Sequence, residues 1–276
     1  MTSAASGRIY RVFVQRPTSA PPPTGWPVMV VTDANATFAS AASAERIGEL
    51  AGRAALIVGV GYPVDDARAA LALRNRDLTP ATPLAGIRRN PGQPPPRLED
   101  YGGAEAFYRF LVDELRPRIA ASYPVDGANQ TLYGHSFGGL FTLGVLFAHP
   151  DAYRGFVISS PSIWWNDRAV LKGEPAFTRA ISSGAIAPRI LVLVGGREQE
   201  PATGTPPPGV TREELARLAA DSRMVDNARE LDERLRALKG SPGYAAGYHA
   251  FEGEDHISVI PASVARGLAF AEGAAP

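Results

Sequence analysis

One short segment of the chain carries the residue types needed for nucleophilic chemistry. Gly134, Ser136 and Gly138 form a G-x-S-x-G pattern, and Gly139 follows at once. The pattern lies between a short apolar run that predicts a strand and a longer one that predicts a helix. At such a turn the serine hydroxyl is exposed above the strand ends, and side chains at the flanking glycines would collide with the strand and the helix. The segment therefore predicts a nucleophile elbow with Ser136 as the nucleophile.

A serine in such a turn also has a structural explanation, because a tight strand-to-helix turn can use a serine simply to cap the helix. The order of the other polar residues decides between the two explanations. Folds that use this elbow place an acidic residue after a later strand and a histidine near the C-terminus. Both residue types occur here in that order. The sequence therefore favours a serine hydrolase with a catalytic triad.

Four histidines compete for the role of general base. His135 lies inside the elbow, and His149 precedes a proline at a predicted helix end, where a helix-terminal cation is a sufficient explanation. His249 lies in GYHAF, which predicts the last strand. His256 lies in the polar loop FEGEDHISVIP that follows, and a loop position lets its ring reach across to the serine. We therefore expect His256 to be the base.

The acid of the triad is expected after the apolar run RILVLVGG, which is followed by the segment REQE. Glu198 is the preferred candidate and Glu200 is the alternative. Asp255 is the immediate neighbour of His256, but neighbouring side chains in an extended loop point apart. We therefore interpret the acidic residues beside the histidine as solvated.

A tetrahedral intermediate also needs hydrogen-bond donors for its negative oxygen. The backbone N–H of Phe137 is one, because the N-terminus of the predicted helix supplies free N–H groups and partial positive charge. The second is expected from the loop after an early strand, from Ala34 or Asn35, and we favour Asn35. The set predicts acyl transfer to water, in which His256 removes the proton of Ser136 and the alkoxide attacks an ester carbonyl.

Short β-rich apolar runs alternate with helical patterns along the chain, as in βαβ units. Fully apolar strands suit a sheet that is covered on both faces. We therefore expect an α/β fold of the α/β-hydrolase class, with a mostly parallel central sheet flanked by helices on both faces. The predicted strands begin at Pro27, Ala55, Gln130, Gly155 and Arg189, and the predicted helices span residues 39–53, 103–121 and 137–147.

A further helix begins at Thr211, which forms a capping box with Glu214, and leucines recur at helical spacing until Gly240. One long helix is expected, with packing as its role. Two stretches near residues 78–100 and 200–210 are rich in proline and predict loop insertions at the surface, where specificity often resides. No linker divides the chain, so residues 1–276 are expected to form a single domain.

The composition excludes several classes of partner. Lys plus Arg and Asp plus Glu number 28 each, so no global field gathers nucleic acid or an anionic membrane around the protein. Cysteine is absent, which excludes a thiol nucleophile, disulfides and thiolate zinc sites. No segment approaches the roughly 20 apolar residues of a membrane span, and the first residues lack a signal-peptide pattern. A cytoplasmic location is expected, or a periplasmic one if a leader precedes this sequence.

Several longer segments are more specific than the elbow. They include VTDANATFA, RNRDLTP, LYGHSFGGLF, SSPSIWWND, VGGREQE and EGEDHISVIPAS. Through these segments nearly the whole chain resembles the enterochelin-type siderophore esterases, within the esterase D-like group of esterases. The resemblance implies hydrolysis of the trilactone of ferric catecholate siderophores such as enterobactin, with Ser136, His256 and Glu198 at the positions of the triad.

The resemblance also implies that four further residues lie near the substrate. These are Arg76 in RNRDLTP and Trp164, Trp165 and Asn166 in SPSIWWN. Ferric tris-catecholate is anionic and aromatic, so guanidinium and indole groups suit it. The alternative for the two tryptophans is that one indole fills space in the core.

Other features weaken parts of this assignment. Arg74 and Arg76 have a structural alternative, since they could pair with Asp66 or Asp77. The family has a glycine where Ala34 stands, which weakens the oxyanion assignment in that loop. The acid segment lacks a further acidic residue that often precedes it in the family, which weakens the choice of acid.

The expected partner is a small-molecule ester or lactone, and a ferric siderophore is the first hypothesis. Iron then belongs to the substrate, because no cluster of histidine and carboxylate predicts a metal site, and no cofactor is expected. A general carboxylesterase for small acyl or aryl esters and an acyltransferase are alternatives with the same nucleophile. A non-catalytic ligand-binding protein on a hydrolase scaffold is a fourth hypothesis. The sequence leaves the oligomeric state open.

Overall fold

A computed structural model describes residues 1–89, 94–201, 205–206 and 208–276. Within them, seven strands form one sheet in the order β1-β3-β2-β4-β5-β6-β7. Only β1 runs antiparallel to its neighbour, and the other pairings are parallel. The strands are β1 Arg11–Gln15, β2 Trp26–Val31, β3 Leu56–Gly61, β4 Val125–His135, β5 Gly155–Ser159, β6 Arg189–Gly195 and β7 Ala245–Phe251.

The helices follow the strands in the alternation that the sequence predicts. A π-helical segment, Phe110–Leu115, joins α3 to α4, and Pro117 in the first turn of α4 removes a backbone donor there. The helices are α1 Ala34–Glu49, α2 Ala67–Leu78, α3 Ala104–Arg109, α4 Arg116–Ser122, α5 Phe137–Ala148, α6 Glu174–Ser182, α7 Arg212–Ser222, α8 Met224–Arg236 and α9 Ile260–Ala271.

Alternate residues of the central strands pack on opposite faces of the sheet. Met29 and Ile57 point into a core shared with Val264 of α9. Val30 points the other way, into a larger core that includes Phe141 of α5. Because both faces bury apolar side chains, the central strands are apolar throughout. The predicted α/β-hydrolase architecture, a mostly parallel sheet between two helical layers, is confirmed.

Two helix predictions were wrong in detail. The first helix begins at Ala34 rather than at residue 39, because Asp33 adopts a left-handed conformation and turns the chain directly out of β2. The long helix expected from Thr211 is two helices, α7 and α8, broken at Arg223 with φ of 45°. The Asn227 side chain donates to the Ser222 carbonyl at 3.0 Å, which satisfies a backbone acceptor that the break leaves free.

The two predicted insertions are only partly described. Short 3-10 turns occur at Leu84–Gly86 and Leu98–Asp100, while residues 90–93, 202–204 and 207 lie outside the described residues. The assignment of the whole chain to one domain stays a prediction. None of the helices in the described part has the length and apolarity to cross a bilayer.

The parallel strands place their carboxyl ends at one edge of the sheet. At this edge β2 leads into α1, β4 leads into α5, and β5 and β6 lead into loops. In open α/β sheets, ligands bind at the carboxyl ends of the strands. The segments that the sequence singled out for chemistry therefore converge there.

Candidate active site

Ser136 occupies a strained turn between β4 and α5. Its φ is 62° and its ψ is −118°, a conformation that side-chain-bearing residues rarely adopt. A Cβ added at Gly134 would lie 2.1 Å from the Gly138 carbonyl oxygen, and one added at Gly138 would lie 2.5 Å from Thr32 Oγ1. The glycines are therefore required for the close approach of strand and helix, as the sequence predicted.

Three side chains from separate loops form a hydrogen-bonded chain at this turn. His256, in the loop between β7 and α9, has its Nε2 3.0 Å from Ser136 Oγ. Its Nδ1 lies 2.6 Å from Glu198 Oε2. Since the carboxylate can only accept, Nδ1 carries the proton and Nε2 is free to accept the serine hydroxyl proton. We call Ser136, His256 and Glu198 the catalytic floor.

The environment of Glu198 suits a charged, fixed carboxylate. Its side chain has no solvent exposure. Its Oε1 accepts the backbone N–H of Gly195 at 2.7 Å and the hydroxyl of Ser160. With His256 on Oε2, both oxygens have donors, which offsets the cost of burying the charge. Ser160 thus supports the acid, a role that sequence reasoning missed.

The other acidic candidates lie apart from the imidazole. Glu200 is 54% exposed and pairs with Arg197 at 2.8 Å. Asp255 accepts the backbone N–H groups of Ser258 and Ile257 through Oδ1, at 2.9 and 2.8 Å. These backbone donors hold the pKa of Asp255 below its ordinary value. The structure therefore brings only Glu198, of these three acids, to the histidine.

The predicted oxyanion donors lie at the N-termini of two helices. Phe137 begins α5 and Asn35 lies in the first turn of α1, so neither N–H has an intrahelical acceptor. The Asn35 side chain is fully engaged, because its amide donates to the carbonyls of Tyr62 and Val64 and its oxygen accepts the Tyr62 N–H. Only the backbone N–H of Asn35 is therefore available for an oxyanion, and its role stays a prediction.

A buried ion pair joins the loop before α1 to the elbow. Arg74 donates to both carboxylate oxygens of Asp33, at 2.6 and 2.7 Å, and to the carbonyl of His135 at 3.2 Å. The structural alternative for Arg74, a pairing with Asp66 or Asp77, does not occur. Asp66 caps α2, and Asp77 pairs with an arginine near the N-terminus. Nothing in the sequence indicated that Arg74 would pair with Asp33, because the two residues lie far apart in the chain.

A cavity of about 550 Å³ opens above the catalytic floor. The loop around Arg88 contributes to its side, together with Trp164 and residues of α7 and α8. We call Arg88, Trp164, Leu215 and Leu218 the outer wall. The expectation that the helix from Thr211 serves only packing was therefore wrong, because Leu215 and Leu218 of α7 and Met224 of α8 line the cavity.

Arg88 is the cation of the outer wall. Its guanidinium lies 3.6 Å from the centroid of the Trp164 ring and donates to Ser222 Oγ at 2.9 Å. No carboxylate of the described residues lies within 4.0 Å of it. Partial burial lowers its pKa from the ordinary arginine value, but an arginine stays charged. The sequence predicted only that Arg88 lies in a surface loop. The two adjacent arginines, Arg88 and Arg89, were the signal that could have indicated a binding role.

Of the four residues that the resemblance placed near the substrate, Trp164 lines this cavity. Trp165 is 2% exposed and donates its indole N–H to Thr82, so it fills the core behind the wall. Arg76 donates to the backbone carbonyl of Glu99, and neither it nor Asn166 lines the cavity. These three placements differ from the expectation. Trp165 and Asn166 differ because consecutive residues of a turn point in different directions, and Arg76 differs because its guanidinium is taken up by the Glu99 carbonyl.

A family model, two relatives and a solved structure match most of this chain. A family model described as putative esterase matches residues 3–252. The ferri-bacillibactin esterase BesA of Bacillus subtilis is 38% identical in an alignment of 277 residues, gaps included, that covers 98% of this chain and 87% of the relative. The siderophore triacetylfusarinine C esterase of Aspergillus fumigatus is 36% identical over 248 residues, 88% of this chain and 80% of the relative. The solved structure of the BES protein from Bacillus cereus has a TM-score of 0.79 and 33% identity, covering 98% of this chain and 92% of that one.

Proposed function

The chain belongs to the putative esterase family and is a carboxylic ester hydrolase, and from this premise we propose that it cleaves the ester bonds of a siderophore with Ser136 as nucleophile. The observation that carries the proposal is the chain of hydrogen bonds from Ser136 through His256 to Glu198, at 3.0 and 2.6 Å. The names of the two relatives support a siderophore ester as substrate.

The proposed reaction has two steps. His256 Nε2 takes the hydroxyl proton of Ser136 while Oγ attacks the ester carbonyl carbon, and the imidazolium then gives this proton to the leaving alcohol. Water attacks the resulting acyl-serine in the second step, with His256 again accepting and returning a proton. Glu198 fixes the histidine tautomer and stabilises the imidazolium in both steps. The N–H groups of Phe137 and Asn35 would stabilise the negative oxygen.

We propose a ferric catecholate trilactone as the substrate class. Such a complex is anionic and presents flat aromatic rings. Arg88 stacked on Trp164 supplies a cation and an indole face beside the catalytic floor, and the cavity of about 550 Å³ is wide enough for more than a small acyl group. A guanidinium attracts anionic oxygens, and an indole stacks on catechol rings. Iron enters with the substrate.

The test compares the wild type with Ser136→Ala on a ferric catecholate trilactone and on p-nitrophenyl butyrate, with products identified by mass. Ser183→Ala, at the exposed end of α6, is the matched control. We expect the wild type and the control to cleave the trilactone much faster than the simple ester, and Ser136→Ala to lose both activities.

Each alternative has its own result in this experiment. Fast turnover of the simple ester alone would replace the siderophore hypothesis with a general carboxylesterase. Transfer of the acyl group to an added alcohol in preference to water would indicate an acyltransferase. Activity that survives in Ser136→Ala would contradict the assignment of Ser136 as the nucleophile.

A further inference from the structure

A buried histidine stands directly before the nucleophile and has no part in the proposed chemistry. His135 is the last residue of β4 and is 5% exposed. Its ring lies beside that of His256, with ring centroids 4.7 Å apart. Burial of an imidazole costs free energy unless its nitrogens form hydrogen bonds. The hydrogen-bond partners of the His135 ring therefore indicate its role.

Both ring nitrogens of His135 are engaged. Nε2 lies 2.9 Å from the backbone carbonyl oxygen of His256, and a carbonyl can only accept, so Nε2 carries the proton. Nδ1 is therefore the acceptor in its 3.1 Å contact with Ser159 Oγ. Ser159 lies opposite His135 in the β4–β5 register. The His256 carbonyl thus selects the tautomer with the proton on Nε2, and a hydroxyl on the neighbouring strand donates to the other ring nitrogen.

The loop that carries His256 is otherwise held by hydrogen bonds among its own residues and by one from the turn that contains Glu198. Asp255 accepts backbone N–H groups within the loop, and the N–H of Arg197 donates to the Glu254 carbonyl at 3.0 Å. In the part of the chain that the structure describes, His135 is the only side chain outside the loop that donates to its backbone. It therefore links the strand of the nucleophile to the main chain of the base.

We infer that His135 is a positioning residue, which holds the backbone of His256 so that its ring stays in line with Ser136. The inference rests on the proposed roles of Ser136 and His256. Proton transfer from the serine requires this alignment in every turnover, whereas binding of a substrate does not. Loss of the link should therefore lower kcat and leave KM nearly unchanged.

The surroundings of His135 keep it neutral. Burial is the main cause that lowers its pKa well below the ordinary histidine value, and the neighbouring His256 and Arg74 act in the same direction. A neutral ring keeps Nδ1 available to Ser159. It also adds no positive charge beside His256 when that ring becomes an imidazolium.

The test uses p-nitrophenyl butyrate, so that it does not depend on the siderophore substrate, and an organophosphate that reacts covalently with Ser136. We expect His135→Leu to lower kcat by roughly 10-fold to 100-fold and to slow phosphorylation of Ser136 in parallel, with little change in KM. His135→Gln should recover a large part of the loss, because its amide N–H can donate to the same carbonyl. His249→Gln, on the exposed side of β7, is the matched control with wild-type rates.

Ser159→Ala tests the link without removing the ring. It deprives the buried Nδ1 of its donor and so weakens the hold on the ring, and kcat should fall by about 5-fold, as for one lost hydrogen bond. This variant and His135→Gln decide the question if His135→Leu fails to fold, which thermal melting would show. Unchanged kcat in Ser159→Ala, or equal losses in folded Leu and Gln variants, would overturn the inference. Failure of the proposed function would appear separately, as activity in Ser136→Ala.

Discussion

The catalytic floor and the outer wall are built in different ways. Each residue of the floor directly follows a strand or lies in a loop tied by hydrogen bonds to its neighbours, as Glu198 is to Gly195 and Ser160. The wall combines Arg88 of a proline-rich segment, Trp164 of the segment after β5 and two leucines of α7. Arg88 connects these parts, because it stacks on Trp164 and donates to Ser222 at the end of α7. On the proposed function, the floor carries out the ester chemistry and the wall selects the substrate.

This difference has a physical basis. Proton transfer and attack require atoms fixed to within fractions of an ångström, which buried strand ends can provide. Selection of a ligand requires a surface of suitable charge and shape, which loops on a rigid scaffold can vary freely. Changes in the floor should therefore reduce kcat for every ester, and changes in the wall should affect KM for the large substrate.

The largest effect is expected from removing the charge of the acid. Glu198→Gln should lower kcat by on the order of 10³-fold or more, because the amide no longer stabilises the imidazolium or selects its tautomer. Both p-nitrophenyl butyrate and the trilactone should show the loss in steady-state assays. Glu200→Gln, on the same turn but paired with Arg197, is the control and should keep wild-type kcat. Equal losses of kcat in the two variants would mean that disturbance of the turn, and not loss of the Glu198 charge, lowers the activity.

A smaller and more selective effect is expected in the wall. Arg88→Leu should raise KM for a ferric catecholate by roughly 10-fold, since a charged hydrogen-bond donor is lost. Hydrolysis of the neutral p-nitrophenyl butyrate should be unchanged. Arg88→Lys should lie between, because lysine keeps the charge but not the planar stacking on Trp164. Arg89→Leu, at the exposed next position, is the control, and a similar rise in KM there would contradict a specific role for Arg88.

The apolar part of the wall should contribute less. Leu218→Ala removes apolar area from the cavity and should raise KM for the trilactone by roughly 3-fold to 5-fold, in line with a partly buried leucine side chain. The control is Arg217→Ala on the same helix, where the side chain is 85% exposed. A fall in kcat for the small ester in Leu218→Ala would mean that floor and wall are not separable.

A buried acid outside both regions should affect the stability of the protein but not its activity. Glu272 follows α9, with its side chain 3% exposed and 3.5 Å from Arg53. Burial raises its pKa from 4.5 to about 7, Glu45 acts in the same direction, and Arg53 opposes them. Between these values the folded state binds a proton that the unfolded state has lost, so the free energy of unfolding falls as pH rises from about 5 to 8.

Glu272→Gln should remove most of this pH dependence and stabilise the protein at pH 8 by about 2 kcal/mol, with kcat unchanged. Denaturant unfolding at pH 5 and pH 8 measures both quantities. Glu213→Gln, at the exposed start of α7, provides the comparison. A stability of the wild type that is flat or rises over this pH range would contradict the shifted pKa.

The parts of the site that sequence could locate are those with a local signature. The elbow around Ser136 has one because its glycines are needed for contacts within the turn itself. His256 and Glu198 could be located because the chain order of strands and loops places them at one sheet edge. Arg88, Ser160 and the Arg74–Asp33 pair have no such signature, since each depends on contacts between segments far apart in the chain.

By itself the sequence determined the alternation of strands and helices, the strained turn at Ser136 and the residue types available for catalysis. These follow from local periodicity and from glycines that permit a close approach. Only the tertiary structure decided that the helix after Thr211 breaks at Arg223, that Trp164 faces the cavity while Trp165 fills the core, and that His135 donates to His256. Those outcomes depend on which distant groups can satisfy a buried polar atom or fill a space, and chain order does not specify such partners.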